Sequence, residues 1–333
     1  MPINRSAIEH FFATVQLRQR PWGSHGIPRA SSIGNDLLQQ YFGLMNHKYP
    51  GRYTPTDIDG ESLWGMEEGH WQEPEIYQVL REEGYLVTDV QGGAIRYIRS
   101  NGETDVILCG EDYMADTIRS LVTAGHKPIL TMHIDGVLEG GPDNIPPTLL
   151  ELKKATMFSY GGMAVNGVRE EKRTYWYQAS VCAASFGLST ARMMVFSRDR
   201  SATNWYFTKM RTKNPITENP ALYIEDMIID PRLVQMADLR AVALLDAVER
   251  EEPPAPDPGV WPLNVRVERD GSTSQLFPCG WCDVRTHCVD HLMTSGTNME
   301  PVVVQDLRPK PKAPKPALHI VPIPTEEEDT NWL

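Results

Sequence analysis

Polar and apolar positions along the chain alternate between two periods. Apolar residues spaced three and four apart predict helices over residues 8–17, 35–44, 76–83, 111–124, 169–186 and 230–251. The last of these carries Leu233, Met236, Leu239, Val242 and Leu245 on one face. Short β-branched and apolar runs predict strands over 85–90, 94–98, 104–108, 128–135, 189–198 and 204–210, the last two at the side of the sheet. Ser31 and Ser32 precede the second helix as N-cap signals, and Gly84 and Gly125 stop two others. Residues 157–167, with Gly161, Gly162 and Gly167, read as a loop. Strands alternating with helices point to an α/β domain, a central mixed β-sheet flanked by helices.

The pattern is broken in one place. Two short apolar strands, from His133 to Leu138 and from Leu149 to Ala155, are joined by a hairpin-like loop through Gly140-Gly141-Pro142-Asp143-Asn144. Both carry acid. In the second, Glu151 and Lys153 lie two apart, on one face of the strand, among Leu149, Leu150 and Leu152. Charge inside an apolar strand is costly unless it is paired or bound to a metal. Asp135 and Glu151 offer the oxygen ligands that a hard divalent cation takes, and Lys153 stands where it could orient a water. The competing interpretation is an edge strand with one solvated Glu/Lys face.

Ile134-Asp135-Gly136 followed by Glu151-Leu152-Lys153 resembles the core of the PD-(D/E)xK nuclease superfamily, in particular its RecB-type and phage exonuclease branches. The resemblance spans roughly residues 30–290. It implies a restriction-endonuclease-like core and a Mg²⁺- or Mn²⁺-dependent deoxyribonuclease, an exonuclease on DNA ends in phage-type recombination, repair or processing. Gly69-x-x-x-Glu73-Pro74 is similar to the first acidic motif of the phage exonucleases, which makes Glu73 a metal ligand beside Asp135, Glu151 and the backbone carbonyl of Leu152. His70 is the competing ligand on that segment. Relatives also carry Gln-x-x-x-Tyr on the helix after Glu-x-Lys. Gln178 fits that motif, Cys182 stands where the Tyr would be, and Tyr175 lies one turn earlier. The alternative is a core helix with an incidental polar residue. Lys209, Arg211 and Lys213 form a small basic group for a phosphate backbone.

Three of the five cysteines crowd into Cys279-x2-Cys282-x5-Cys288, a compact set of soft ligands. The spacing resembles the C-terminal triplet of RecB-type iron–sulfur nucleases, which implies a 4Fe-4S cluster closed by an N-terminal cysteine. Here no cysteine occupies that N-terminal place. Asp36, in the expected neighbourhood, Cys182 and Cys109 are candidates for the fourth ligand. His291 gives a second solution, a local Cys3His set suited to Zn²⁺.

The 333 residues suffice for a sizeable core, and 41% hydrophobic with 23% charged residues is ordinary for a globular protein. A net charge of −12 argues against a broad nucleic-acid-coating surface but leaves room for a local basic channel. No apolar run approaches a membrane span and the first residues lack a signal pattern, so a cytoplasmic protein is expected, in the bacterial host cytosol if phage-encoded. The expected organisation is an N-terminal helix and loop over 1–30, a nuclease domain over 31–300 that includes the cysteine segment, and a disordered tail over 301–333. That tail runs from a Pro/Lys-rich linker to an acidic end, Glu326-Glu327-Glu328-Asp329, tipped by Trp332-Leu333. It resembles the docking tails of single-stranded DNA-binding proteins, which implies a recombinase, helicase or single-strand-binding partner besides DNA. Two alternatives belong to other classes: a non-catalytic nucleic-acid- or partner-binding module on the same fold, and a zinc-stabilised phage assembly or regulatory protein.

Overall fold

The computed structural model describes residues 25–52, 72–198, 222–255, 265–267, 273–275, 285–295 and 303–306. The expected helix at 8–17, the strand at 204–210, His70, Cys279, Cys282, the basic group at 209–213 and the acidic tail lie outside them.

Five strands form the central sheet: β1 (Tyr85–Thr88), β5 (Gly136–Gly140), β6 (Ile145–Ala155), β7 (Thr190–Ser197) and β8 (Leu222–Ile228), in the order β1-β5-β6-β7-β8. Only the β6–β7 pair is parallel, so the sheet is mixed. A parallel pair needs a long crossover. Here it is made by helices α4 (Met157–Asn166), α5 (Val168–Glu171) and α6 (Arg173–Ser185). Two expectations are corrected. Residues 157–166 are helical rather than a loop, because Tyr160 and Met163 are fully buried, and their packing outweighs the cost of glycine in a helix. Gly162 there lies against the Glu171 carboxylate, in space a side chain would need. Strand β7 is interior rather than at the sheet's side. Its Ala191, Met193, Met194 and Val195 are all buried, as a strand covered on both faces requires.

A second antiparallel sheet, β3 (Thr104–Gly110), β2 (Gly92–Ile98) and β4 (Lys127–His133), carries helix α3 (Met114–Thr123). The chain passes directly from β4 to β5 through Ile134 and Asp135. Asp135 therefore sits at the junction of the two sheets.

The two faces of β6 separate chemically. Leu150 and Leu152 join Tyr77 and Leu80 of the helix over 72–82, termed α2, on one side of the central sheet. Leu149 and Ala155 join α6 on the other, where Ala179 and Ala183 and the facing Ala237 and Ala241 are all small. Those last two belong to α7 (Pro231–Arg250), whose N-cap is Asp230. Arg96 of β2 closes a bidentate pair with Asp238 of α7, both bonds 2.7 Å, tying the second sheet to this layer. Helix α1 (Leu37–Lys48) packs on the far end of α7 together with α8 (Arg285–Thr294). Among the described residues no helix is long and apolar enough to cross a membrane.

Candidate active site

Asp135 and β6 meet because β5 is short. The last cross-strand pair is Gly136 opposite Leu150, so Leu152 extends beyond the start of β5. The Asp135 carboxylate takes the place of the missing strand: the Leu152 amide donates to its Oδ2 at 2.5 Å. In an extended strand the N–H and C=O of one residue point to the same edge. The Leu152 carbonyl therefore faces the Asp135 side as well.

Glu151 and Lys153 point to the opposite face of the sheet from Leu150 and Leu152, as period two requires. Lys153 Nζ donates to Glu151 Oε1, and Gln178 Nε2 from α6 donates to the same oxygen at 2.8 Å. Glu151 is only 2% exposed, and its Oε2 has no hydrogen-bond partner. A buried carboxylate oxygen left unsatisfied is costly. Burial pushes the Glu151 carboxyl up to about 7, against the pull of Lys153 and with the help of Asp135. Burial pulls the Lys153 ammonium down, but Glu151 and Asp135 outweigh it and hold the group well above the ordinary lysine range. The ammonium lies 5.3 Å from the centre of the Tyr175 ring, a cation–π distance.

Glu73 stands at the start of α2, where Gln91 Nε2 donates to its Oε2 at 2.8 Å. Burial raises the Tyr77 hydroxyl well above its usual range, and Asp135 and Glu73 add to that shift, so both acids flank this residue one turn along α2. Among the described residues no three His, Cys, Asp or Glu side chains already surround one point. The carboxylate of Asp135, which accepts the Leu152 amide, that of Glu151, which Asp135 influences electrostatically, and the Leu152 carbonyl are hard oxygens. The orphaned Glu151 Oε2 is the atom a hard cation would satisfy. This donor set fits Mg²⁺ or Mn²⁺.

Cys182 lies one turn beyond Gln178, fully buried, with Sγ 3.9 Å from the His133 carbonyl oxygen. Burial and the Glu151 charge push its thiol well up. It belongs to the packing beneath the acids. Asp36, the other remote candidate for a cluster ligand, turns its Oδ1 back to accept the Gln39 amide at 3.1 Å and so caps α1. Cys288 and His291 are on α8, next to α1.

Sequence reasoning passed over one group. His133, two residues before Asp135, has Nδ1 3.9 Å from Glu111 Oε1. Burial is the main cause lowering its imidazole, and Arg29 and His25 are close enough to add to the effect. The pairing of Arg29 with Thr131 of β4 brings these residues together, and no local pattern announces it.

No protein-family model and no curated protein matches the chain. Among solved structures it is similar to an alkaline exonuclease (LHK-Exo) from Laribacter hongkongensis, at 16% identity over 73% of this chain and 94% of that one, with a TM-score of 0.39. It is similar at the same TM-score to LHK-Exo in complex with dAMP, at 15% identity with the same coverage of both chains.

Proposed function

We propose that this chain is a divalent-metal-dependent DNA nuclease with a restriction-endonuclease-like core, acting as an exonuclease on DNA ends. The observation that carries it is the buried Glu151, its Oε1 held by Lys153 and Gln178 and its Oε2 unpartnered, on the strand whose Leu152 amide Asp135 anchors. A carboxylate pair beside a lysine, in this order along the chain, is also what the resemblance to the PD-(D/E)xK nucleases rests on. DNA ends as the substrate follow from that resemblance.

Asp135, Glu151 and the Leu152 carbonyl would hold Mg²⁺ or Mn²⁺, with Glu73 reaching in from α2. The bound ion would supply Lewis acidity toward the scissile phosphate and its leaving oxygen. The chain's own residues do the rest. Lys153 stays an ammonium at neutral pH, so it orients the attacking water and stabilises charge on the phosphate rather than removing a proton. Gln178 fixes Glu151, and the Tyr175 ring restrains the lysine head. Water oxygen bonds to phosphorus while its proton passes to bulk solvent, the P–O ester bond breaks, and the leaving oxygen takes a proton back from solvent. Arg29 near His133 supplies a cation for a neighbouring backbone phosphate.

The test is cleavage of end-labelled linear DNA with Mg²⁺ or Mn²⁺, wild type against Lys153→Met. Metal-dependent degradation lost in the variant is expected. Cleavage undiminished by the substitution, or none by the wild type with either ion, would overturn the assignment.

A further inference from the structure

Strands β1 and β2 are joined through the turn Asp89-Val90-Gln91-Gly92, closed by the Gly92 amide donating to the Asp89 carbonyl at 2.9 Å. Asp89 and Gln91 both lie at positive φ, 49° and 56°. Asp tolerates that region, and the third place of such a turn ordinarily takes Gly or Asn. Gln91 therefore holds a backbone conformation that its own side chain disfavours. Local strain of this kind persists where the surrounding structure makes use of it.

Adjacent residues of this turn hold two separate segments of the candidate site. Gln91 Nε2 donates to Glu73 Oε2 of α2 at 2.8 Å. The Gly92 carbonyl accepts the amide of Ile134, the residue before Asp135, at 2.9 Å. The backbone is tightly packed there. A Cβ on Gly92 would lie 2.9 Å from the Asp89 carbonyl oxygen and 3.3 Å from side-chain carbons of Ile134 and Phe186. One rigid turn thus ties α2 at Glu73 to the β4–β5 junction at Ile134. Tyr77, one turn after Glu73, is 5% exposed, and its hydroxyl oxygen is buried. Gln91 acts on that hydroxyl but falls short of hydrogen-bond geometry, so the oxygen has no partner. A hydroxyl buried in this way is costly. A water in the shell of a cation held by Glu73 and Asp135 would accept from it.

We infer that Gln91 is a positioning residue, and that the β1–β2 turn sets the Glu73 carboxylate relative to Asp135 so that both reach one divalent cation. The inference rests on the nuclease reading, in which both acids are ligands of that ion. It adds a residue outside the ligand set that decides how tightly the ion is held.

The test is Mn²⁺ binding to the full chain without DNA, by isothermal titration, in a double-mutant cycle of Gln91→Gly and Glu73→Gln. Glycine suits the positive φ but has no amide, so Gln91→Gly should fold and melt, in chelator, close to the wild type. It should nonetheless bind Mn²⁺ about 10- to 100-fold more weakly, the usual loss when the partner of a ligand is removed. Because Gln91 acts through Glu73, adding Gln91→Gly to Glu73→Gln should cost little further affinity. Gln91→Asn also suits that φ and carries its amide one methylene short of Glu73, so it should weaken binding in the same direction, and the cycle can be read on either variant. Undiminished affinity in these variants, or the same loss with and without the Glu73 carboxylate, would overturn the inference and leave the nuclease reading standing. A wild type that neither binds Mn²⁺ nor cleaves DNA would overturn that reading, and this inference with it.

Discussion

Asp135 Oδ2 accepts the amide of Leu152 at 2.5 Å, joining the end of one sheet to a strand of the other. The carboxylate replaces a backbone partner that β5 is too short to provide. It therefore serves structure, and in the proposed function it serves as a cation ligand as well. Asp135→Asn presents an amide oxygen in place of the carboxylate and should keep that bond while losing the charge. It should fold with near-normal circular dichroism, bind Mn²⁺ at least about 10-fold more weakly and cleave little DNA. Retained Mn²⁺ affinity in an isothermal titration would remove Asp135 from the ion's shell.

Lys153→Met should lower cleavage by about 10²- to 10³-fold, the usual loss when a donor that stabilises transition-state charge is removed. It should also raise the Glu151 carboxyl further, because Lys153 is the group that opposes burial there. Carbonyl-region infrared spectroscopy across neutral pH would follow that carboxyl directly.

The raised Glu151 carboxyl has a defined pH signature. Its folded value, about 7, lies above the ordinary 4.5, so the folded state favours the protonated form. The stability this gives is fully present below about 4.5 and is lost as pH rises through about 7. Thermal unfolding of the wild type should therefore weaken relative to Glu151→Gln over that window. Cation binding needs the ionised form, so Mn²⁺ titration near neutral pH should release a proton, visible as a buffer-dependent heat. A wild-type melting temperature that tracks Glu151→Gln across the window would refute the shift.

Tyr175 offers its ring face to the Lys153 ammonium. Tyr175→Phe should leave cleavage nearly unchanged, and Tyr175→Leu should lower it by roughly 3- to 30-fold, as a partly desolvated cation–π contact implies. Equal losses in both variants would transfer the role to the hydroxyl.

Arg192 is a structural cation away from the acids. It donates to Asp226 of β8, to Asp143 in the β5–β6 loop and to the Tyr85 hydroxyl of β1. Arg192→Leu should cost roughly 2 kcal/mol, since both carboxylates retain access to water and the side chain that ties them is lost. Denaturant unfolding would measure the loss, with cleavage of linear DNA retained at low temperature. An unchanged midpoint would assign the network to solvated surface.

Local periods made much of this molecule legible. The alternation in 149–153 put Glu151 and Lys153 on one face, the Gly-rich turn paired β5 with β6, and the apolar spacing after Asp230 outlined α7. These are short-range rules of pleat, turn and helix, and the residues that obey them are neighbours in sequence. What the sequence left open depends on contacts across the fold. The helix at 157–166 exists because Tyr160 and Met163 find a core, against the preference of Gly161 and Gly162. Strand β7 lies inside the sheet because β8 covers its far edge. The anchoring of Leu152 by Asp135 and the approach of Gln178 and Tyr175 from α6 arise only when distant segments pack. Burial, helped by Asp135, turns Glu151 from an ordinary carboxylate into one that titrates near neutrality. A sequence lists its charged groups, but the dielectric around them is a property of the packed chain.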